Sequence, residues 1–303
     1  MEEENFERKV LVGVDGSVAN RVALRWAIEE AKVRQSKLLA AYAVHVPSFV
    51  YYSPGYVPIA ADDLAEEGHK LVEAAVGTLG THTQVKIEIV TVEGPAHRGI
   101  RRLSEEPDVG LVVVGTRSHG ALASTMLGST SHALSHHCSK PLVIVPTPQS
   151  EADGVSPVRQ ILVGVDGSDG GAAALRWAAR EAKMHGARLE VAVAWSWTTM
   201  PPEAVIDTPI GVNIELAARE LLSRTVGALD LRDLEVSLTV REGPSTEVLL
   251  DLSQSADLLV VGTRGLGRAK EMFLGSTSHV VAHQSKVPVA IIPATREECP
   301  NDP

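Results

Sequence analysis

Two glycine-rich turns stand out for the chemistry that their residue types allow. The first reads Gly115-Thr116-Arg117-Ser118-His119-Gly120-Ala121, with Gly128-Ser129-Thr130 following; the second reads Gly262-Thr263-Arg264-Gly265-Leu266-Gly267-Arg268, with Gly275-Ser276-Thr277-Ser278 following. A backbone that wraps a phosphate chain needs residues free to adopt φ > 0 and to present bare N–H groups as a concave nest. The Gly275-Ser276 step then opens a helix, whose first N–H groups and dipole favour an anion. Ser276 either donates to a phosphate oxygen or caps that helix. A second pair of signals is Gly13-Val14-Asp15 and Gly164-Val165-Asp166. An aspartate there suits a ribose hydroxyl or an adenine amine, although the same carboxylate is also able to cap the helix that follows. Glycine turns after parallel strands often serve only tight turning. The ligand reading gains weight because both features fall at one expected crevice, twice.

The crevice follows from the elements. Lys9–Asp15 is an apolar run bounded by Gly-Ser, which suits a strand buried on both faces. Val18 to Arg34 carries Val22, Leu24, Ala27, Ile28 and Ala31 at helical spacing. Further strands are expected at Leu38–Val46, Val85–Val92, Val109–Val114 and Leu142–Val145. Helices are expected over Ile59 to Leu79, from Pro95 as first residue to about Glu105, and from Ser129 to about His137. The second half follows the same plan. Such alternation predicts an α/β fold: two tandem, doubly wound, five-stranded parallel-sheet domains, Rossmann-like, with strand order 3-2-1-4-5. Ligands of such sheets bind beyond the carboxyl ends of the strands, where the winding reverses, which here is between the first and fourth strands.

The duplication is written in the sequence. Leu11-Val12-Gly13-Val14-Asp15-Gly16-Ser17 recurs verbatim as Leu162-Val163-Gly164-Val165-Asp166-Gly167-Ser168, and Ala23-Leu24-Arg25-Trp26-Ala27 recurs as Ala174-Leu175-Arg176-Trp177-Ala178. Val113-Val114-Gly115-Thr116-Arg117 matches Val260-Val261-Gly262-Thr263-Arg264, and Leu127 to His132 matches Leu274 to His279. A period this long means whole domains rather than solenoid units. The expected division is a first domain over 1–147, a linker over 148–157, a second domain over 158–296 and a tail over 297–303. With 44% apolar and 22% charged residues the 303-residue chain is ordinary for a soluble protein, and its formal charge of -10 argues against nucleic acid as a partner. An acidic start, no apolar run long enough to span a bilayer, and only two cysteines (Cys138 and Cys299) point to the cytoplasm and away from a membrane, a disulfide framework or a structural zinc site.

At the spacing Gly262-x-x-Gly265-(nine residues)-Gly275-Ser276 the chain resembles the universal stress protein family, in its tandem ATP-binding form, and the likeness covers both halves almost completely. The resemblance implies one ATP per domain, with Mg²⁺ on the phosphates, and places Gly13, Asp15, Gly164 and Asp166 beside the nucleoside. It also implies that backbone near Ala43 and Ala194, on the second strands, meets adenine. Ser118 departs from the pattern by replacing the second glycine. A residue with a Cβ costs about 1–2 kcal/mol in a left-handed conformation, so the first site is expected to be the weaker.

Other chemistries find less support. No Gly-x-x-x-x-Gly-Lys-Ser/Thr P-loop occurs, and the glycine loop follows the fourth strand rather than the first, unlike a dinucleotide site. His132/His136 and His279/His283 have i,i+4 spacing, one pair per half; without a carboxylate or cysteine set, surface or interface histidines are the favoured reading and no metal site is expected. Trp26 and Trp177 read as packing residues. No nucleophile–base–orienter set emerges, so no catalytic residue is assigned. The expected function is an ATP-binding stress-response signalling module acting on a protein partner that the sequence does not name. The alternatives are a slow ATPase or phosphotransferase with Ser129 or Ser276 as acceptor, and an adaptor with a vestigial site. The fifth strands, apolar and at a sheet edge in the assumed order, suit pairing within the chain or in a homodimer.

Overall fold

The computed structural model describes residues 8–44, 61–78, 85–116, 127–147, 156–196, 214–263 and 274–294. The chain divides into two compact units, Met1–Val155 and Ser156–Pro303. In the first, the described order is β1 (Lys9–Val14), α1 (Val18–Val33), β2 (Leu38–Val44), α2 (Ala61–Thr78), β3 (Ile87–Glu93), α3 (Ala96–Ser104), β4 (Val109–Gly115), α4 (Ser129–His137) and β5 (Leu142–Val145). In the second it is β6 (Gln160–Gly164), α5 (Asp169–His185), β7 (Arg188–Trp195), α6 (Ile214–Gly227), β8 (Val236–Glu242), α7 (Ser245–Leu252), β9 (Leu258–Gly262), α8 (Ser276–Gln284) and β10 (Val289–Ile292).

Among the described residues the strands of each unit pair in parallel. β1 lies between β2 and β4, with β3 beside β2 and β5 beside β4. The second unit repeats this with β6 between β7 and β9, β8 beside β7 and β10 beside β9. Both sheets therefore have the order 3-2-1-4-5 expected from the sequence. Beyond their first residues, Lys9 and Gln160, the central strands β1 and β6 carry no polar side chain because helices cover both faces: Val10, Leu11, Val12, Leu162 and Val163 are fully buried, as are Val112 and Val113 of β4. Trp26 and Trp177 are also buried, as packing residues should be.

Two local details differ from expectation. Pro95 is the N-cap of α3 rather than its first residue, with extended backbone (φ -61°, ψ 130°). Pro244 does the same for α7. Each follows a glycine at positive φ, Gly94 or Gly243, which turns the chain sharply into its helix. The expected start of the third strand moves inward as well, from Val85 to Ile87.

The second unit contains one very close backbone approach. A Cβ placed on Gly262 would lie 2.5 Å from the carbonyl oxygen of Gly170 in the first turn of α5. No rotamer change relieves a clash with backbone, so glycine here sets how near α5 sits to β9. Gly262→Ala should destabilise the second unit by about 1–3 kcal/mol. Gly227→Ala, at the open end of α6 with nothing within 4 Å of the new methyl, should be neutral or slightly stabilising. Urea unfolding followed by tryptophan fluorescence in a Trp26→Phe background reports the second unit alone, since the remaining tryptophans all belong to it. Equal midpoints for the two variants would show that α5 yields without cost.

Candidate functional site

The order 3-2-1-4-5 leaves a crevice where β1 and β4 lie side by side and the chain departs from them in opposite directions. In the first unit this crevice is lined by Gly13, Val14 and Asp15 from the end of β1, Ala41 and Ala43 from β2, and Val114, Gly115 and Thr116 from the end of β4. Asn20 of α1, Ala96 and Ile100 of α3, and Gly128, Ser129, Thr130 and Ser131 at the start of α4 complete it. The space amounts to about 550 Å³ with its open mouth included. The lining combines apolar residues (Ala41, Ala43, Ala96, Ile100, Val114) with backbone and hydroxyls at the start of α4. Asp15 is the single charged residue among the described lining residues.

Each wall has a local cause. Gly13 lacks a Cβ because one would lie 2.7 Å from Ile100 Cδ1; Gly164 stands in the same relation to Leu249, at 2.8 Å. These glycines let α3 and α7 close onto the strand ends. Gly16 and Gly167 have φ of +79° and +83°, so the turn after each aspartate needs glycine. Asp15 Oδ1 accepts the Ser17 N–H at 2.9 Å and Asp166 Oδ1 accepts the Ser168 N–H at 3.0 Å. The helix caps themselves are the serines: Ser17 Oγ accepts from Asn20 N and Ser168 Oγ from Gly171 N. The aspartates thus brace the cap rather than forming it.

The fourth-strand loop is closed at its neck. The Thr116 carbonyl accepts the Gly128 N–H, and the Thr263 carbonyl accepts that of Gly275 at 2.7 Å. Ser131 Oγ donates to the Thr116 and Gly128 carbonyls at 3.3 and 3.1 Å, and the buried Ser278 hydroxyl donates to the Gly262 carbonyl at 2.6 Å. Thr116 and Thr263 are tied to the fifth strands, their N–H groups donating to Val145 O and Ile292 O. The start of α4 is thereby held beside the end of β4, and that of α8 beside the end of β9. Gly128 and Gly275 are the N-caps of these helices, with extended backbone (φ -65° and -61°) and no side-chain cap bond. Their glycines are therefore not required by positive φ. Their effect is to withhold the side-chain acceptor that α1 and α5 receive from Ser17 and Ser168.

Of the residues expected at the first site, Gly13, Val14, Asp15, Ala43, Gly115, Thr116, Gly128, Ser129 and Thr130 come together. In the second unit Gly164, Val165, Asp166, Ala194, Gly262, Thr263, Gly275, Ser276, Thr277 and Ser278 occupy the corresponding strand ends and helix start. Arg117, Ser118, His119, Gly120 and Ala121, and Arg264, Gly265, Leu266, Gly267 and Arg268, lie outside the described residues. Sequence reasoning missed Asn20, Ala41, Ala96, Ile100, Val114 and Ser131. Asn20 had a visible signal: the repeats agree through Asp-Gly-Ser and then diverge, Val18-Ala19-Asn20 against Asp169-Gly170-Gly171. Ala96 and Ile100 had none, because only the crossover brings α3 over Gly13.

The bracing geometry separates structure from charge. Asp166→Ala removes acceptors for the Ser168 N–H and Ser168 Oγ and should cost about 1–2 kcal/mol. Asp166→Asn keeps an Oδ1 acceptor and should stay within about 0.5 kcal/mol of wild type. Ser168→Ala, which removes the cap itself, should cost about 1 kcal/mol. Denaturant midpoints for the three variants check this ordering; an asparagine variant as unstable as the alanine one would refute it.

Comparison with known proteins agrees with this architecture. The Universal stress protein family model matches residues 7–146 and again 157–293. A universal stress protein of Mycobacterium tuberculosis H37Rv is 31% identical over 304 residues, covering 96% of this chain and 98% of that protein. One from Mycolicibacterium smegmatis is 30% identical, with 94% and 97% covered. The crystal structure of a universal stress protein from Archaeoglobus fulgidus superposes with a TM-score of 0.70 over 97% of this chain and 99% of that one, at 20% identity, which shows a shared fold. With the family model matched twice and each copy forming its own 3-2-1-4-5 sheet, the chain belongs to the universal stress protein family as a tandem two-domain member.

Proposed function

We propose that each unit binds ATP in the crevice between its first and fourth strands, and that occupancy of these sites makes the chain a nucleotide-dependent signalling module. The observation that carries the reading is the glycine-capped helix start held at the crevice in both units. Such a helix end offers its N–H groups and its dipole to a phosphate, and the hydroxyls of Ser129, Thr130, Ser276 and Thr277 add donors. The apolar lining residues Ala41, Ala43, Ile100 and Val114 suit the faces of a purine. Asp15 and Asp166 present carboxylate to a ribose hydroxyl or the adenine amine.

The residues fit ATP in a second respect. The lining holds both apolar side chains and the hydroxyls and backbone of a helix start, which matches a ligand that has a flat base and an anionic chain. Mg²⁺ usually keeps phosphate and water ligands and needs few from protein, so the proposed ion on the phosphates requires no dedicated cage. Among the described lining residues no histidine, lysine or cysteine accompanies Ser129 as a base or nucleophile, so binding is favoured over turnover. The arginines and glycines of the two loops, Arg117 to Ala121 and Arg264 to Arg268, complete the proposed phosphate sites. Ser118 in place of glycine makes the first the weaker in this proposal.

Four measurements test the proposal. Mass spectrometry of denatured protein, purified without added nucleotide, should detect retained ATP; equilibrium titration of stripped protein should show ATP binding. Gly275→Asp places an acceptor and a negative charge at the helix start without backbone strain. It should leave stability within a few tenths of a kcal/mol or raise it slightly, yet lower ATP affinity of the second site at least tenfold. Asp166→Asn should lower that affinity roughly ten- to a hundredfold, because a charge-assisted hydrogen bond contributes about 1.5–3 kcal/mol. Unchanged titrations for both folded variants would move the nucleotide elsewhere.

A further inference from the structure

The second unit also holds a pair of imidazoles that the nucleotide reading leaves unused. His279 and His283 lie one turn apart on α8, their rings 4.4 Å between centroids and inclined at 47°. Their Nε2 atoms are 3.2 Å apart. The first unit carries the same pair at the same place, His132 and His136 on α4, with ring centroids 4.8 Å apart. Both helices begin at an N-cap glycine, and both histidines of the second pair are half-buried.

The Nε2 separation is the informative quantity. Two neutral imidazoles are able to share one hydrogen bond at this distance, with one ring as donor. The same distance is what two cis ligands of one metal ion require: at Zn–N lengths of about 2.0–2.1 Å and tetrahedral angles, the nitrogens stand about 3.3 Å apart. An i,i+4 pair on a helix is therefore already spaced as a bidentate chelate, and it reaches that spacing without movement of the backbone. Partial burial lowers the entropic cost of ordering the rings, because packing already restricts them. Imidazole nitrogen favours zinc, copper and nickel over magnesium or calcium, which prefer oxygen. The site is thus chemically distinct from any Mg²⁺ carried in on ATP.

We infer that the His279/His283 pair on α8 is a binding site for a divalent transition-metal ion of the zinc class, held through both Nε2 atoms, with water or further protein donors filling the remaining positions. The ion would clamp two successive turns of the helix whose start forms the second proposed phosphate site. The inference does not depend on nucleotide binding, since it rests on the imidazole geometry alone.

The test uses the full chain, freed of metal with a chelator, and isothermal titration with ZnCl₂ in nucleotide-free buffer. In a His132→Gln/His136→Gln background, which removes the equivalent pair on α4, the chain should still bind Zn²⁺, and adding His279→Gln/His283→Gln should abolish that event or weaken it roughly a hundredfold or more, since even loss of outer-shell partners costs about 10–100-fold in metal affinity. His69→Gln/His97→Gln, which removes two histidines on α2 and α3, should leave the event unchanged. Circular dichroism establishes that each variant is folded. Co²⁺ gives an independent readout, because histidine coordination produces visible absorption bands that the α8 variant should lack. Zinc heats that persist unchanged when His279→Gln/His283→Gln is added to that background, with the chain folded, would overturn the site, as would an equal loss in the His69→Gln/His97→Gln control.

Discussion

Parallel pairing of β1 with β4, repeated as β6 with β9, is the constraint from which the rest of each unit follows. Parallel neighbours cannot be joined by a tight turn, so each connection crosses a face of the sheet as a helix. Because the chain leaves these two strands in opposite directions, no crossover covers their shared carboxyl end. A gap remains there by topology. What fills its rim is then a matter of which residues end the strands and which begin the helices.

The rim is built from small residues for reasons of packing. Glycine at 13 and 164 admits Ile100 and Leu249, and glycine at 262 admits the backbone of α5. These contacts need no ligand to explain them, so a glycine count by itself overstates the case for a phosphate site. The stronger physical argument lies in how the helices begin. α1 and α5 start at serines that satisfy their own first-turn N–H groups, while α4 and α8 start at glycines that do not. α3 and α7 begin at prolines that likewise give no side-chain cap bond, so a missing cap alone does not single out α4 and α8; what sets them apart is the N-cap glycine together with the serine and threonine hydroxyls that follow it.

In the proposed function the aspartates give one carboxylate two purposes. Through Oδ1 it orders the Asp-Gly-Ser turn and thereby the cap of the following helix. That bracing fixes the carboxylate at the crevice edge, so little rotamer freedom remains to be lost when a ligand group arrives. Structural and ligand roles are therefore coupled in that proposal. In the first unit Asn20 adds an amide to the same crevice, at the place where the second unit has Gly171.

Much of this was legible in the residues alone. The verbatim repeat established the duplication, since matching strings in the same order leave no other economical reading. Apolar runs alternating with helical periodicity determined the element order and with it a parallel sheet, because burial on both faces leaves a strand no polar side. The Gly-Val-Asp and Gly-Ser/Thr signals located the crevice from both strands that border it. Tertiary structure alone decided the rest. Nothing local to Ala96 or Ile100 marks them as a wall, because the crossover that brings α3 over Gly13 is a long-range consequence of the sheet. The serines of Asp-Gly-Ser, and not the aspartates, proved to be the caps because Gly16 and Gly167 turn the chain so that the hydroxyl, two residues on, meets the free N–H groups. The glycines that open α4 and α8 have ordinary φ, so the property that matters in them is the missing acceptor. A missing side chain has no signature in sequence until the neighbouring N–H groups are placed around it.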